Sequence, residues 1–132
     1  MKAVLLSILL LLPLSVYSKV IYIKNQAELQ QEVISSSIPV IIDIFSERCG
    51  PCGRMKPIFE KLSSEFEGKV KFVAISTQSS NGAWSHFNNI LQVPTVICWF
   101  NGQEVLQRTV GAQSIQDLRN QVKKLQSLSK PQ

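Results

Sequence analysis

The run Val40-Ile41-Ile42-Asp43-Ile44-Phe45, followed closely by Cys49-Gly50-Pro51-Cys52, constrains this chain more than any other segment. A nearly unbroken apolar run marks a central strand covered on both faces, so elements must pack on each side of the sheet that holds it. One acid, Asp43, interrupts it. Beyond Cys49, the residues Cys52, Met55, Ile58, Phe59, Leu62 and Phe66 recur at three and four. That pattern predicts a long amphipathic helix running to about Glu67 and stopping at Gly68, kinked where Pro57 sits inside it.

Cys49-Gly50-Pro51-Cys52 therefore lies where a buried strand hands over to a helix. A cysteine at a helix start receives unpaired backbone N–H groups and the positive end of the helix dipole, both of which favour thiolate over thiol. Cys49 is the expected exposed nucleophile, and Cys52, one turn into the helix, the expected resolving thiol of a mixed disulfide. Pro51 restricts φ in the first turn and lacks an N–H that would be unpaired there anyway. Gly50 is expected to permit the close approach of the two sulfurs.

The rest of the chain alternates. Val20–Ile23 reads as a short strand, and Asn25 with Glu28 forms a capping-box pattern opening a helix that ends by Ser35–Ser37. Val70–Ile75 is a strand, Trp84–Leu91 a helix, and Thr95–Phe100 a strand ending at Asn101-Gly102. That pair predicts a hairpin into a strand over Glu104–Val110. Ser114 with Asp117 opens a last amphipathic helix through Leu125, and Ser127–Gln132 is expected to fray. Strands and helices in this order describe an α/β fold, a central mixed β-sheet flanked by α-helices.

The N-terminus differs in composition. Lys2 precedes an apolar run from Ala3 to Val16, and the chain turns polar by Lys19, the layout of a secretory signal peptide. The run is too short to span a bilayer as a helix, and Pro13 falls near its end. Cleavage is expected between Ser18 and Lys19, giving a signal peptide over 1–18 and one domain over 19–132. With 45% hydrophobic residues in a chain of 132, one core is available and two domains are not. Removing Lys2 leaves 13 basic against 9 acidic residues, scattered without runs or interleaved aromatics, which gives no support for nucleic-acid binding.

The segment Val40 to Pro57 resembles the active-site strand, loop and kinked helix of the thioredoxin family. Val93-Pro94-Thr95, Phe100-Asn101-Gly102 and Val110-Gly111-Ala112 resemble later landmarks of that family in order and spacing, with about one extra residue in the final hairpin. The resemblance covers essentially all of the mature chain. It implies the thioredoxin fold, a cis bond before Pro94 facing the active-site cysteine, and a Val93 backbone that pairs with an extended substrate. It also implies that Asp43, beneath Cys52, helps move that sulfur's proton. Arg48, Gly50, Pro51, Val93 and Pro94 then form the substrate-binding set, and no metal or cofactor is needed beyond the Cys49–Cys52 disulfide. Three positions depart from the family pattern: Arg48 stands where Trp is usual, Gly53 where Lys follows the motif, and Ala74 where a Lys commonly pairs with the buried acid.

The implied activity is thiol-disulfide oxidoreduction by an exported monomer that reduces client proteins and is re-reduced by a membrane-borne electron donor. A bacterial periplasm is the favoured location, with a eukaryotic secretory route as the alternative. The Gly-Pro filling lacks the His found between the cysteines of stronger oxidants, so a reducing pair is expected, shifted slightly by Arg48. The alternatives are a disulfide oxidase or isomerase of the same fold, and a binding module with a permanent disulfide. A zinc site completed by Cys98 and His86 is disfavoured by the Gly-Pro filling. Cys98, mid-strand, is expected to be an inert buried thiol.

Overall fold

The computed structural model describes residues 17–130. Residues 1–16 of the expected signal peptide and the last two residues of the expected frayed tail lie outside the described residues. The elements are β1 (Ile21–Tyr22), α1 (Gln26–Leu29), β2 (Val40–Phe45), α2 (Gly50–Glu65), β3 (Lys71–Ser76), β4 (Thr95–Phe100), β5 (Gln103–Glu104), β6 (Thr109–Val110) and α3 (Ile115–Ser127). The sheet order is β1-β3-β2-β4-β5, with β6 also on β4. β1 and β2 run parallel to β3, whereas β4 runs antiparallel to β2, which makes the sheet mixed.

The period of two along β2 separates the core into two layers. Ile41 faces α2 and α3, joining Met55, Phe59, Leu62, Phe72 and Leu118. Val40, Ile42 and Ile44 face the opposite side with Leu29, Val33, Val73 and Phe87. All four β2 side chains are fully buried, which explains the unbroken apolar run. Asp43 falls two residues after Ile41 and so belongs to the α2 side.

The helix ends follow local chemistry. The Asn25 side chain accepts the Glu28 N–H at 2.9 Å, but the Glu28 carboxylate takes the N–H of Lys24 at 2.8 Å in place of the Asn25 N–H that a capping box uses. After Leu29 the helix widens into a π turn over Gln30–Ile34, with Ser35 N–H reaching Gln30 O at 2.9 Å. α2 ends at Glu65, and Gly68 takes φ +78°, a left-handed value that suits glycine at a helix stop. The Ser114 hydroxyl caps α3 by accepting the Asp117 N–H at 3.1 Å.

Three expectations are corrected. The helix expected over Trp84–Leu91 is a single 3₁₀ turn, Ala83–His86, because the chain turns extended at Phe87 (φ −91°, ψ 113°), and Asn89 at φ +61° keeps it from resuming. The strand expected over Glu104–Val110 is two short pieces. Between the Trp99–Glu104 and Val96–Thr109 pairs, three steps along β4 match five along the returning chain, so the latter carries a bulge. The bulge lets the consecutive Val105 and Leu106 both pack on the α2 side. Arg108 closes it, with Nε and Nη2 donating to the two Glu104 carboxylate oxygens and Nη1 donating to Asn88 O at 2.7 Å. The tail beyond Ser127 is not frayed where it is described: Leu128 and Ser129 donate backbone N–H groups to Leu125 and Gln126.

Candidate active site

α2 begins beside the end of β2, and Cys49 is its N-cap, with extended backbone angles of φ −118° and ψ 112°. Cys49 and Cys52 form a disulfide with Cα atoms 5.2 Å apart. The Cys52 N–H points at Cys49 Sγ at 3.2 Å, so the first-turn donors that would steady a thiolate already face this sulfur. Cys49 is half-buried. Cys52 is 4% exposed, the asymmetry expected of an attacking and a resolving sulfur.

Pro51 lies in the first turn as expected. A Cβ at Gly50 would meet only the Arg54 guanidinium, at an ordinary 3.6 Å. That contact identifies a group the sequence motif did not single out. Arg54, four residues on and one turn along α2, lays its cation over the loop between the cysteines. The i, i+4 spacing was the available signal. Arg48 is exposed at the other side of the motif.

A second loop meets the first. The Val93–Pro94 bond is cis, as the family resemblance implied, and Val93 O lies 3.7 Å from Cys49 Sγ. The loop is tied on both sides, by Thr95 Oγ1 donating to Gln92 O at 2.6 Å and by Gly111 N–H donating to Pro94 O at 2.8 Å. The structure therefore brings Cys49, Val93 and Pro94 together, with Gly50, Pro51 and Arg48 adjoining through the chain.

Beneath Cys52 the sheet presents Asp43, 4% exposed, between Ala74 on β3 and Val96 on β4. Its Oδ1 is buried without a hydrogen-bond partner among the described residues. Desolvation alone pushes the carboxyl up to about 7. Asp43 and Cys52 share a cavity of about 370 Å³ with Tyr22, Lys56, Glu60 and Ala74 at its walls. Glu47 also borders it, anchored through its backbone N–H to Gln78 Oε1 at 2.9 Å and through its carboxylate to the Ser76 and Ser79 hydroxyls.

The zinc alternative does not fit the placement of its ligands. Cys98 is fully buried on the α2 side, while His86 is exposed and packs against Trp99 and Phe87 on the opposite side. Burial pushes the Cys98 thiol up to about 12.

The thioredoxin family model matches residues 20–124. The chain belongs to the thioredoxin family. It is 35% identical over 95 residues to a thioredoxin of Haemophilus influenzae, covering 72% of this chain and 86% of that one. It is 33% identical over 88 residues to a Synechocystis thioredoxin, covering 67% and 80%. The crystal structure of Malassezia sympodialis thioredoxin superposes with a TM-score of 0.72 at 26% identity, covering 83% of this chain and 92% of that one. As a member of this family, the protein is a disulfide reductase whose redox centre is the Cys49–Cys52 pair, and the family acts on protein disulfides. Its thioredoxin fold is the mixed sheet with flanking helices anticipated from the sequence.

Proposed function

We propose that this thioredoxin works outside the cytoplasm, reducing exported client proteins through Cys49 and Cys52. The observation that supports the division of labour is the half-buried N-cap sulfur of Cys49 beside an almost buried Cys52 that shares a cavity with the buried Asp43 carboxyl. The Cys49 thiolate attacks one sulfur of the client disulfide, and the other sulfur leaves as a thiolate that takes up a proton. Asp43 accepts the Cys52 proton. Cys52 then attacks Cys49 Sγ, breaks the mixed disulfide and releases the second client thiolate, so the client gains two electrons and the pair becomes the disulfide. A donor of two electrons, in the membrane on this reading, restores the dithiol.

Arg48, Gly50, Pro51, Val93 and Pro94 form the face on which an extended client strand lies, its backbone pairing with that of Val93. Turnover of a disulfide-linked peptide by the reduced protein tests the reading. Reduction of the peptide with stoichiometric oxidation of the pair supports it, and a pair that stays oxidised in millimolar dithiol would leave only a binding module.

Export rests on the composition of residues 1–18 and has its own test. Intact-mass analysis of the protein recovered outside the cytoplasm is expected to show a chain beginning at Lys19. Recovery of the full-length chain, or of a membrane-integrated form, would refute it.

The pair is expected to be reducing, because neither residue between the cysteines, Gly50 or Pro51, is a His or other cation that would steady the thiolate. Arg48 is exposed, so solvent screens its charge. Its replacement in Arg48→Trp is expected to lower the reduction potential by at most about 20 mV, since 30 mV corresponds to about 1.4 kcal/mol. Redox titration against glutathione measures this. An unchanged potential removes Arg48 from the tuning of the pair.

A further inference from the structure

The cavity beneath Cys52 holds a carboxyl oxygen without a hydrogen-bond partner and, at its rim, one ammonium group without an ion pair among the described residues. Oδ1 of Asp43, in a side chain more than nine-tenths buried, is without a hydrogen bond, and position 74, directly across on β3, carries only the methyl group of Ala74. Lys56 also lines the cavity, its Nζ 5.9 Å from the centre of the Tyr22 ring. We propose that Lys56 is the counter-ion of Asp43: when the carboxyl ionises, the Lys56 ammonium leaves the Tyr22 ring, crosses the open side at Gly53 and pairs with it inside the cavity.

Four features carry this. Cys52, Lys56 and Glu60 recur at i, i+4 and i+8 on α2, so they form one strip of the helix, and all three line the cavity. Helical side chains lean toward the helix N-terminus, which aims Lys56 over the turn that holds Cys52 and Gly53. A Cβ at Gly53 would meet nothing within 4 Å, so that passage is open. The cavity, about 370 Å³, has room for a flexible four-carbon stem with its ammonium.

The other ionisable groups facing the cavity do not serve. Tyr22 from β1, Glu47 from the β2–α2 connection and Glu60 from α2 are anionic or neutral, and the cysteines are joined. Tyr22 Oη donates to Glu60 Oε1 at 3.3 Å, which holds the rival carboxylate at the rim. A buried carboxylate without a cation is costly, so ionisation of Asp43 itself supplies the force that draws Lys56 inward. Lys56 is a positioning residue: it acts through Asp43 and touches neither sulfur nor client.

The proposal rests on the reading of Asp43 as the proton-handling group, but its test does not require turnover. The oxidised full-length mature protein, in which neither cysteine of the pair titrates, is followed by carboxyl ¹³C NMR of Asp43 against pH. Lys56→Met is expected to raise the Asp43 midpoint by about one pH unit. In Lys56→Ala, added ethylammonium is expected to lower the midpoint again, whereas tetramethylammonium, which has no N–H to donate, is not. A midpoint unmoved in Lys56→Met overturns the proposal, as does equal rescue by both cations. Activity separates the two claims: if the midpoint shifts while Asp43→Asn resolves mixed disulfides at the wild-type rate, the ion pair stands and its catalytic use falls.

Discussion

Cys49→Ser is expected to abolish disulfide reduction, a loss of at least about 10³-fold, and Cys52→Ser is expected to leave the attack intact but strand the protein on its clients. The asymmetry follows from where the sulfurs sit. Cys49 caps α2, receives the Cys52 N–H at 3.2 Å and remains half-buried, so it is the sulfur a client can reach. Cys52 is 4% exposed, below the surface on which a client lies. Serine at 52 preserves size but cannot break the mixed disulfide, so covalent adducts accumulate on non-reducing gels. Serine at 49 forms none. Equal trapping by both variants, or faster alkylation of Cys52 than of Cys49 at low pH, would reverse the assigned roles.

Asp43→Asn is expected to make the oxidised protein more stable than wild type at pH 8, with the advantage shrinking as pH falls. The carboxyl is pushed from 3.8 to about 7 by burial. Between those values the folded state holds a proton that the unfolded chain has released, so wild-type stability falls as pH rises through this window. Above about pH 7 the full cost is present. Roughly three pKa units at 1.36 kcal/mol each is about 4 kcal/mol, less whatever Lys56 recovers by pairing. Asparagine matches the shape and does not ionise, so the variant-minus-wild-type difference in unfolding free energy should grow by up to about 4 kcal/mol from pH 4 to pH 8. Urea titration at the two pH values measures it. The same variant is expected to slow release of mixed disulfides by about 10²-fold or more, since no base takes the Cys52 proton. A pH-independent stability difference would show that Asp43 titrates normally.

The parts of this fold that were legible in advance are those where one residue choice has one local consequence. The apolar run of β2, buried on both faces, could be little else, and the periodic stripe of α2 and the Ser114 cap of α3 found their places within a residue or two. Misjudged segments depend on distant partners. Nothing local in Leu106-Gln107-Arg108 reveals a two-residue bulge, because its cause is the room that Val105 and Leu106 find against the α2-side core and the grip of Arg108 on Glu104 and Asn88. The 84–91 segment carries apolar residues at plausible helical spacing, yet the backbone turns extended at Phe87 after one turn and left-handed at Asn89. At the site, the cysteines and Asp43 were visible because their chemistry demands those residue types in that order. Arg54 and Lys56 were not, since a basic residue on an exposed helix face is ordinary until the neighbouring Gly50 and Gly53 show what lies beside it.

Cys98 turns the folded domain into its own gauge of integrity. In the oxidised state it is the one thiol left unpaired, and it sits at zero exposure on β4, facing the core under α2 and α3, with its ionisation suppressed toward 12. A sulfur so enclosed cannot exchange with a wandering disulfide, so an odd cysteine that would invite crosslinking in an oxidising medium is silent while the chain is folded. A thiol reagent reaches it only through molecules that have opened the core, and the labelling rate of Cys98 therefore counts those openings directly.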